Sequence, residues 1–125
     1  MKPTIAIVGA STDRRKFGNK AVRAYARQGY EVFPIHPQAQ SIEGLPAFRS
    51  VRDLPVARLD RISIYLPPAV TLQLVEELAA KPSGEVWLNP GAESPELVAR
   101  GRALGLNVVQ GCSIVALGVS PAEFE

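Results

Sequence analysis

Short apolar runs alternate along the chain with longer segments whose apolar residues recur every three or four positions. The first run, Thr4–Val8, is β-branched and apolar, which is typical of a buried strand in a parallel sheet. Four later runs are also predicted to be strands: Tyr30–Ile35, Arg61–Leu66, Glu85–Leu88 and Leu106–Val109. The pattern therefore predicts five strands separated by helical segments.

The segments between these strands show helical spacing. Phe17, Ala21, Val22, Tyr25 and Ala26 would share one face of a first helix that ends near Gly29. Further helices are predicted over Val70–Ala79, ending at Pro82; from Ser94 and Pro95 to Gly105; and, as a short piece with a capping box, over Ser50–Asp53, stopped by Pro55. The tail from Gln110 onward has no strong period.

Regular alternation of strands and helices predicts one α/β domain with a parallel sheet over residues 1–125. Right-handed crossovers place ligands at the carboxyl ends of the strands, where the strand order reverses. The segments that follow the predicted strands are therefore the candidate site: Gly9–Asn19, His36–Gln40, Pro67–Ala69, Asn89–Glu93 and Gln110–Ser113.

Composition is that of an ordinary soluble globular protein, with 46% hydrophobic and 21% charged residues among 125. No apolar run approaches the about 18 residues that a membrane span needs, and the N-terminus has no signal-peptide layout. A single cysteine fits a reducing, cytoplasmic location. The net charge of +2 is too small to indicate nucleic acid as a partner.

The loop after the first strand carries the chemistry of a phosphate site. It is not a standard G-x-G-x-x-G fingerprint, because Ser11 and Arg14 stand where glycines would, and the next glycine is Gly18. Hydroxyls and guanidinium groups precede a helix whose positive end would face an anion. A plain tight turn beside a solvated basic helix face is the alternative. The candidate residues are Gly9, Ala10, Ser11, Thr12, Asp13, Arg14, Arg15, Gly18 and Asn19.

The second strand argues against NAD, because it ends without the Asp or Glu that holds the ribose hydroxyls in nicotinamide enzymes. His36 could contact a phosphate or ribose there, or be an incidental surface histidine. Pro67 and Pro68 after the third strand form a rigid apolar shelf suited to adenine, or simply end the strand. Trp87 in the fourth strand is expected in the core.

No catalytic constellation is visible in the sequence. One histidine, one cysteine and scattered carboxylates give no metal-ligand cluster and no nucleophile–base pair at a recognisable spacing. Cys112 follows the last strand and could face the ligand, but burial is its expected role, because free cysteines are usually buried. We therefore predict no catalytic residue and no metal site.

Several motifs in order resemble the small CoA-binding proteins, a family similar to the N-terminal CoA-binding domain of the succinate–CoA ligase alpha subunit. They cover essentially the whole chain: V-G-A-S at Val8–Ser11, G-Y-x-V-x-P-I-x-P at Gly29–Pro37, L-P-P at Leu66–Pro68, V-W-L-N-P-G-A at Val86–Ala92, and Gly111-Cys112. The resemblance implies a Rossmann-like, three-layer αβα domain with a mainly parallel five-stranded sheet that binds coenzyme A.

Carried over residue by residue, the resemblance implies roles for two loops. The loop after the first strand would hold the CoA phosphates through Ser11, Thr12, Asp13 and Arg14, and the turn after the fourth would contribute Leu88, Asn89 and Pro90. The family's basic contact after the second strand falls on Pro37, Gln38 and Ala39, which include no Lys or Arg. His36 does not match the phosphorylated histidine of the ligase, which lies in a further domain.

The leading hypothesis is therefore non-catalytic binding of CoA or an acyl-CoA. One alternative is an NAD(P)-binding redox enzyme or sensor, in which Arg14 and Arg15 would hold a 2′-phosphate. Another is the CoA-binding subunit of a multi-chain acyl-CoA ligase, so that a homo-oligomer or a partner ligase subunit is a candidate assembly. Neither nucleic acid nor a membrane is expected as a partner.

Overall fold

The computed structural model describes residues 2–125; Met1, the first residue of the predicted domain, lies outside the described residues. The strands are β1 Thr4–Val8, β2 Glu31–Ile35, β3 Ser41–Ile42, β4 Leu45–Pro46, β5 Leu59–Ile64, β6 Ser83–Leu88 and β7 Val108–Gln110. The α-helices are α1 Phe17–Arg27, α2 Pro68–Ala80 and α3 Pro95–Ala103, and three short 3-10 turns lie at Val51–Asp53, Val115–Leu117 and Pro121–Phe124.

Five parallel strands form the central sheet in the order β2-β1-β5-β6-β7. Their last residues pair in one row, Ile35–Val8–Ile64–Leu88–Gln110. The chain leaves β1 for β2 on one side and later returns to β5 on the other, so the strand order reverses between β1 and β5. This row defines the carboxyl edge of the sheet, and its reversal point is where a ligand cleft is expected.

Both faces of the sheet are covered, which gives the three layers of a Rossmann-like α/β fold. Helix α1 and the C-terminal 3-10 turns pack on one face, where Ile7, Val22 and Ile114 are buried together. Helices α2 and α3 pack on the other face around Ile62 and Leu97. Burial of side chains on both faces explains why the strands read as almost continuous apolar runs in the sequence.

The connection from β2 to β5 differs from the prediction. Strands β3 and β4 form a small antiparallel hairpin where a loop was expected. The short helix predicted over Ser50–Asp53 is present as a 3-10 turn, but its capping box is wrong. Ser50 Oγ accepts from Arg52 N at 3.1 Å and donates to Glu77 Oε2 at 2.6 Å. A side chain that serves as an anchor to α2 fixes this turn, and local spacing alone does not reveal such an anchor.

Two further expectations need correction at the edges of the fold. The third predicted strand is displaced: β5 starts at Leu59 and stops at Ile64, so that Tyr65 belongs to the turn that follows. Trp87 is half-buried rather than in the core, with its Nε1 donating to Glu85 Oε1 at 3.1 Å and the Arg61 guanidinium over its ring. Polar neighbours keep this indole at the sheet surface.

Candidate functional site

A cleft of about 840 Å³ opens at the carboxyl edge of the sheet, at the reversal point between β1 and β5. Predicted site residues that line it are Gly9, Ala10, Ser11, Arg15, Gly18, His36, Pro37, Pro67, Asn89 and Pro90. The lining also includes Lys16, Phe17, Gly91, Ala92 and Cys112 from the candidate segments, and Tyr65 and Leu66, which were predicted to belong to the third strand. The cleft thus gathers the loops after all five strands of the central sheet, β1, β2, β5, β6 and β7.

Two glycines bring the first loop and its helix together. Gly9 has φ +91°, and a Cβ there would lie 3.0 Å from the carbonyl carbon of Tyr65. A Cβ on Gly18 would lie 2.2 Å from the carbonyl oxygen of Gly9, well inside a clash. Gly18 therefore has the packing role of the last glycine in a dinucleotide fingerprint, although it lies at a different spacing.

The N-terminus of α1 opens onto this cleft with no neutralising group of its own. Lys16 is the N-cap residue, its side chain makes no capping hydrogen bond, and the first turn of α1 contains no acidic residue. The partial positive charge of the helix end is therefore reinforced by Lys16 rather than cancelled. An anion is the complement of such a helix end when it faces a cleft.

The two loop arginines are held by carboxylates. Arg15 donates through Nε and Nη2 to Asp13, at 3.1 and 3.0 Å, and this partner lowers the pKa of Asp13 to about 2. Arg14 lies 3.8 Å from Glu43 at the tip of the β3–β4 hairpin. Arg14, Asp13 and Thr12 do not line the cleft as the loop now stands, in contrast to Ser11.

Asn19 is buried under the loop instead of facing the cleft. Its Nδ2 donates to Ser11 O at 2.9 Å and to Glu43 Oε2 at 3.1 Å, while its Oδ1 accepts from Arg23 Nε at 2.8 Å. Arg23 in turn donates to the carbonyls of Arg14 and Phe124. The predicted contact residue Asn19 is thus a support that fastens the loop to the hairpin and to the C-terminal turn.

His36 has a defined tautomer. Its Nδ1 accepts hydrogen bonds from Gln38 N at 3.0 Å and Ala39 N at 2.9 Å, so the proton of the neutral ring lies on Nε2. This arrangement folds the loop after β2 and leaves one neutral N–H donor on a side chain that lines the cleft. Gln38 is exposed outside the cleft lining, and Pro68 begins α2 beyond Pro67.

Asn89 ties three strand ends together from within the wall of the cleft. Its Nδ2 donates to Ser63 Oγ and Ile64 O, both at 2.8 Å, and its Oδ1 accepts from Ser113 N at 2.8 Å. Leu88 before it is a core residue that does not line the cleft. The predicted contact residue Asn89 therefore has its amide fully used inside the protein.

The same wall contains a buried hydroxyl network that the sequence analysis did not find. Ser63 Oγ lies 2.6 Å from Ser113 Oγ, and Tyr65 OH lies 3.2 Å from the same atom. Burial raises the pKa of Tyr65 to about 12. Tyr25 OH donates to Ser113 O at 2.7 Å, which extends the network under α1. These residues are scattered over the sequence, so only the fold brings them together.

Cys112 was expected to be buried, but it is half-buried and lines the cleft.

Within residues 2–125, no group of three His, Cys, Asp or Glu side chains is placed to hold a metal ion. In the same part of the chain, none of the helices combines the length and the apolar character required to cross a membrane.

Comparisons with known proteins agree on one family. A family model described as a CoA binding domain matches residues 3–118. Subunit alpha of the ADP-forming acetate–CoA ligase II of Pyrococcus furiosus is 30% identical over 78 residues, which are 62% of this chain. The chain spans only 17% of the length of that curated relative.

Solved structures show the same fold. A conserved hypothetical protein from Pyrococcus furiosus is 33% identical with a TM-score of 0.80, over 93% of this chain and 99% of that chain. A Thermus thermophilus protein is 30% identical with a TM-score of 0.85, over 94% of this chain and 89% of that protein. A third structure is the dinucleotide-forming acetyl-coenzyme A synthetase 1 of Ca. Korarchaeum cryptofilum, in complex with phosphate and ADP. It is 28% identical with a TM-score of 0.73, over 85% of this chain and 25% of that protein.

Proposed function

Because the chain belongs to the CoA binding domain family, we propose that it binds coenzyme A, or an acyl-CoA, in the cleft at the carboxyl edge without catalysing a reaction. The observation that carries this proposal is the N-terminus of α1, uncapped by any side chain and opening onto a cleft of about 840 Å³. That combination suits a ligand with a compact anionic group and a long neutral remainder.

The diphosphate belongs on the β1–α1 side of the cleft. Ser11 lines this side, and the close packing of Gly9 on Gly18 brings the loop against the N-terminus of α1, whose free backbone N–H groups suit phosphate oxygens. Arg15 and Lys16 line the same side and supply positive charge. Thr12, Asp13 and Arg14 would join the contact only if the loop moved, with Arg14 leaving Glu43.

The adenosine belongs on the β2 side. In this fold class the residue at the end of the second strand faces the ribose, and here the Nε2–H of His36 is a neutral donor for a ribose oxygen. Pro37 and Pro67 give this part of the cleft apolar surfaces against which adenine can stack. The pantetheine arm would then extend along Asn89–Ala92 toward Cys112.

A binding role without chemistry is supported by what the polar groups of the cleft already do. Two backbone N–H groups occupy Nδ1 of His36, and the amide of Asn89 is fully bonded within the protein. Burial raises the pKa of Tyr65 to about 12, so its hydroxyl is protonated near neutral pH. These bonds leave neither Nδ1 of His36 nor the amide of Asn89 free to act as a general base on a ligand.

Calorimetric titration with CoA, ADP and NADPH tests the proposal. We expect saturable CoA binding that weakens as salt is raised, and weaker binding in Lys16→Ala than in the control Lys81→Ala, whose Nζ donates to Val56 O away from the cleft. Absence of CoA binding at millimolar concentration would contradict the proposal. Saturable NADPH binding with CoA excluded would favour the redox alternative instead.

A role as the CoA-binding part of a larger acyl-CoA ligase is the second candidate, favoured by the match to an alpha subunit. In that arrangement the cleft would be completed by another chain. Co-purification of a ligase subunit from the native cell, with acyl-CoA formation by the complex alone, would support this candidate. A CoA-loaded homo-oligomer as the only native species would count against it.

A further inference from the structure

We infer that Arg49 binds the ribose phosphate of the ligand, and so selects CoA over its form without the 3′-phosphate. This inference rests on the proposed function, because it assigns a second anion contact at the ribose end of the same cleft. The β1–α1 loop accounts for the diphosphate only, and CoA carries one more phosphate on the ribose.

The backbone places Arg49 beside the end of β2. Phe48 N donates to Pro34 O at 2.9 Å, and Phe48 O accepts from His36 N at 2.9 Å. These bonds form a parallel bridge between Ile35 and Phe48, so Arg49 takes the register position beside His36. His36 lines the cleft, so a residue that is thirteen positions away in the sequence lies next to the part of the cleft assigned to the ribose, just outside the cleft lining.

Arg49 is also uncommitted. It is exposed, and in the described residues 2–125 its guanidinium takes part in no ion pair, side-chain hydrogen bond or contact over an aromatic ring. By contrast, Arg15 in the cleft lining is paired with Asp13, and Arg52, three residues after Arg49, is paired with Glu77. A phosphate would therefore gain Arg49 without displacing an internal carboxylate.

The alternatives at this end of the cleft are uncharged. Pro37, Gln38 and Ala39 carry no cation. Nδ1 of His36 already accepts from two backbone N–H groups, so the ring offers a single Nε2–H donor on this side. Arginine is the side chain suited to a phosphate, since its planar fork forms paired, charge-assisted hydrogen bonds.

Titration calorimetry of the wild type, Arg49→Ala, Arg49→Lys and Arg102→Ala with CoA and with dephospho-CoA tests this inference. Arg102 is the matched control, an exposed arginine on α3 that also lacks a partner within the described part of the chain. At low ionic strength we expect the wild type and Arg102→Ala to prefer CoA by about tenfold, as an ion pair with a phosphate allows. Arg49→Ala should bind both ligands equally, and Arg49→Lys should keep part of the preference.

The outcomes separate the two proposals. If the wild type binds both ligands equally, or if Arg49→Ala keeps the preference or weakens both ligands alike, the role of Arg49 is wrong while CoA binding stands. If the wild type binds neither ligand, the proposed function is wrong and this inference falls with it. Loss of the preference in Arg49→Ala alone supports the inference.

Discussion

The two long walls of the cleft are built in opposite ways. The wall from β1 and α1 consists of a glycine-packed loop whose charged side chains, Arg15 and Asp13 among them, face solvent. The wall from β5, β6 and the segment after β7 is held by Asn89, Ser63 and Ser113, all of which are buried and hydrogen-bonded to one another. The first wall offers charge, and the second offers a fixed shape.

This difference teaches which contacts a ligand can change. The Asp13–Arg15 pair lies at the surface, where an ion pair adds little stability, so a phosphate can replace Asp13 as the partner of Arg15. A buried polar group that loses its partner costs about 1–3 kcal/mol, so the Asn89 wall should stay as it is. Within residues 2–125, every buried side-chain nitrogen or oxygen has a hydrogen-bond partner.

The largest effect is expected from Gly18→Ala, which disrupts the packing of α1 against the β1 loop in the first wall. Its Cβ would lie 2.2 Å from Gly9 O, so strand and helix must separate. We expect the free energy of unfolding to fall by about 2–4 kcal/mol and CoA affinity to fall more than tenfold. Urea denaturation and calorimetric titration measure the two quantities.

The matched control is Gly111→Ala, whose Cβ would meet only the Trp87 ring at 3.4 Å, an ordinary contact. It should change unfolding by less than about 1 kcal/mol and leave CoA binding intact. Equal effects of the two substitutions would show that close approach of Gly9 and Gly18 is not what builds this wall.

Next in size is Asn89→Ala, which removes the tie in the second wall. Three hydrogen bonds are lost in a buried site, so we expect unfolding to become easier by about 2–3 kcal/mol. Asn107→Ala is the control, since Asn107 is exposed and donates one bond to Gly84 O. If urea midpoints of the two variants coincide, the second wall is not held by Asn89.

The smallest effect is expected from Asp13→Asn, which releases Arg15 on the first wall. Asparagine keeps the oxygen that accepts from Arg15 N, so the loop should retain its turn while the charge is removed. With its pKa near 2, Asp13 is ionised at all pH values above about 4 and competes with phosphate there. We expect CoA affinity at low salt to rise about two- to fivefold.

The control for this change is Glu76→Gln, which removes the same charge from the exposed pair with Arg100. Titration calorimetry should show unchanged CoA affinity for that variant. A lower affinity in Asp13→Asn than in the wild type would mean that Asp13 itself supports the ligand, and the two walls would then be less different than their construction implies.

Local pattern predicted the parts of the fold that local forces decide. The apolar run of β1 and the capped start of α3 at Ser94 and Pro95 were found in the sequence, and both are confirmed. The β3–β4 hairpin was missed, because its two-residue strands are too short to show a period. The short helical turn after Ser50 was predicted and is present, but its anchor to Glu77 was missed, because that anchor is a long-range contact.

The candidate site divides in the same way. Gly9, Gly18 and Ser11 were chosen from the loop sequence, and the structure places them in the cleft lining. Tyr65 and Leu66 line the cleft but were predicted to belong to the third strand, since nothing in their neighbours marks them as facing the cleft. Whether these residues contact CoA stays a prediction for the titrations above.

By itself, the sequence determined an α/β chain with a parallel sheet and, through its ordered motifs, membership of a CoA-binding family, while the phosphate role of the first loop stays a prediction. These features depend on hydrophobic periodicity, on turn residues and on short contiguous motifs, all of which can be recognised locally in the sequence. Only the tertiary structure decided that Asn19 and Asn89 are internal supports and that Arg49 stands beside His36. The physical reason is that hydrogen bonds and register join residues far apart in the chain, and a local pattern carries no information about those partners.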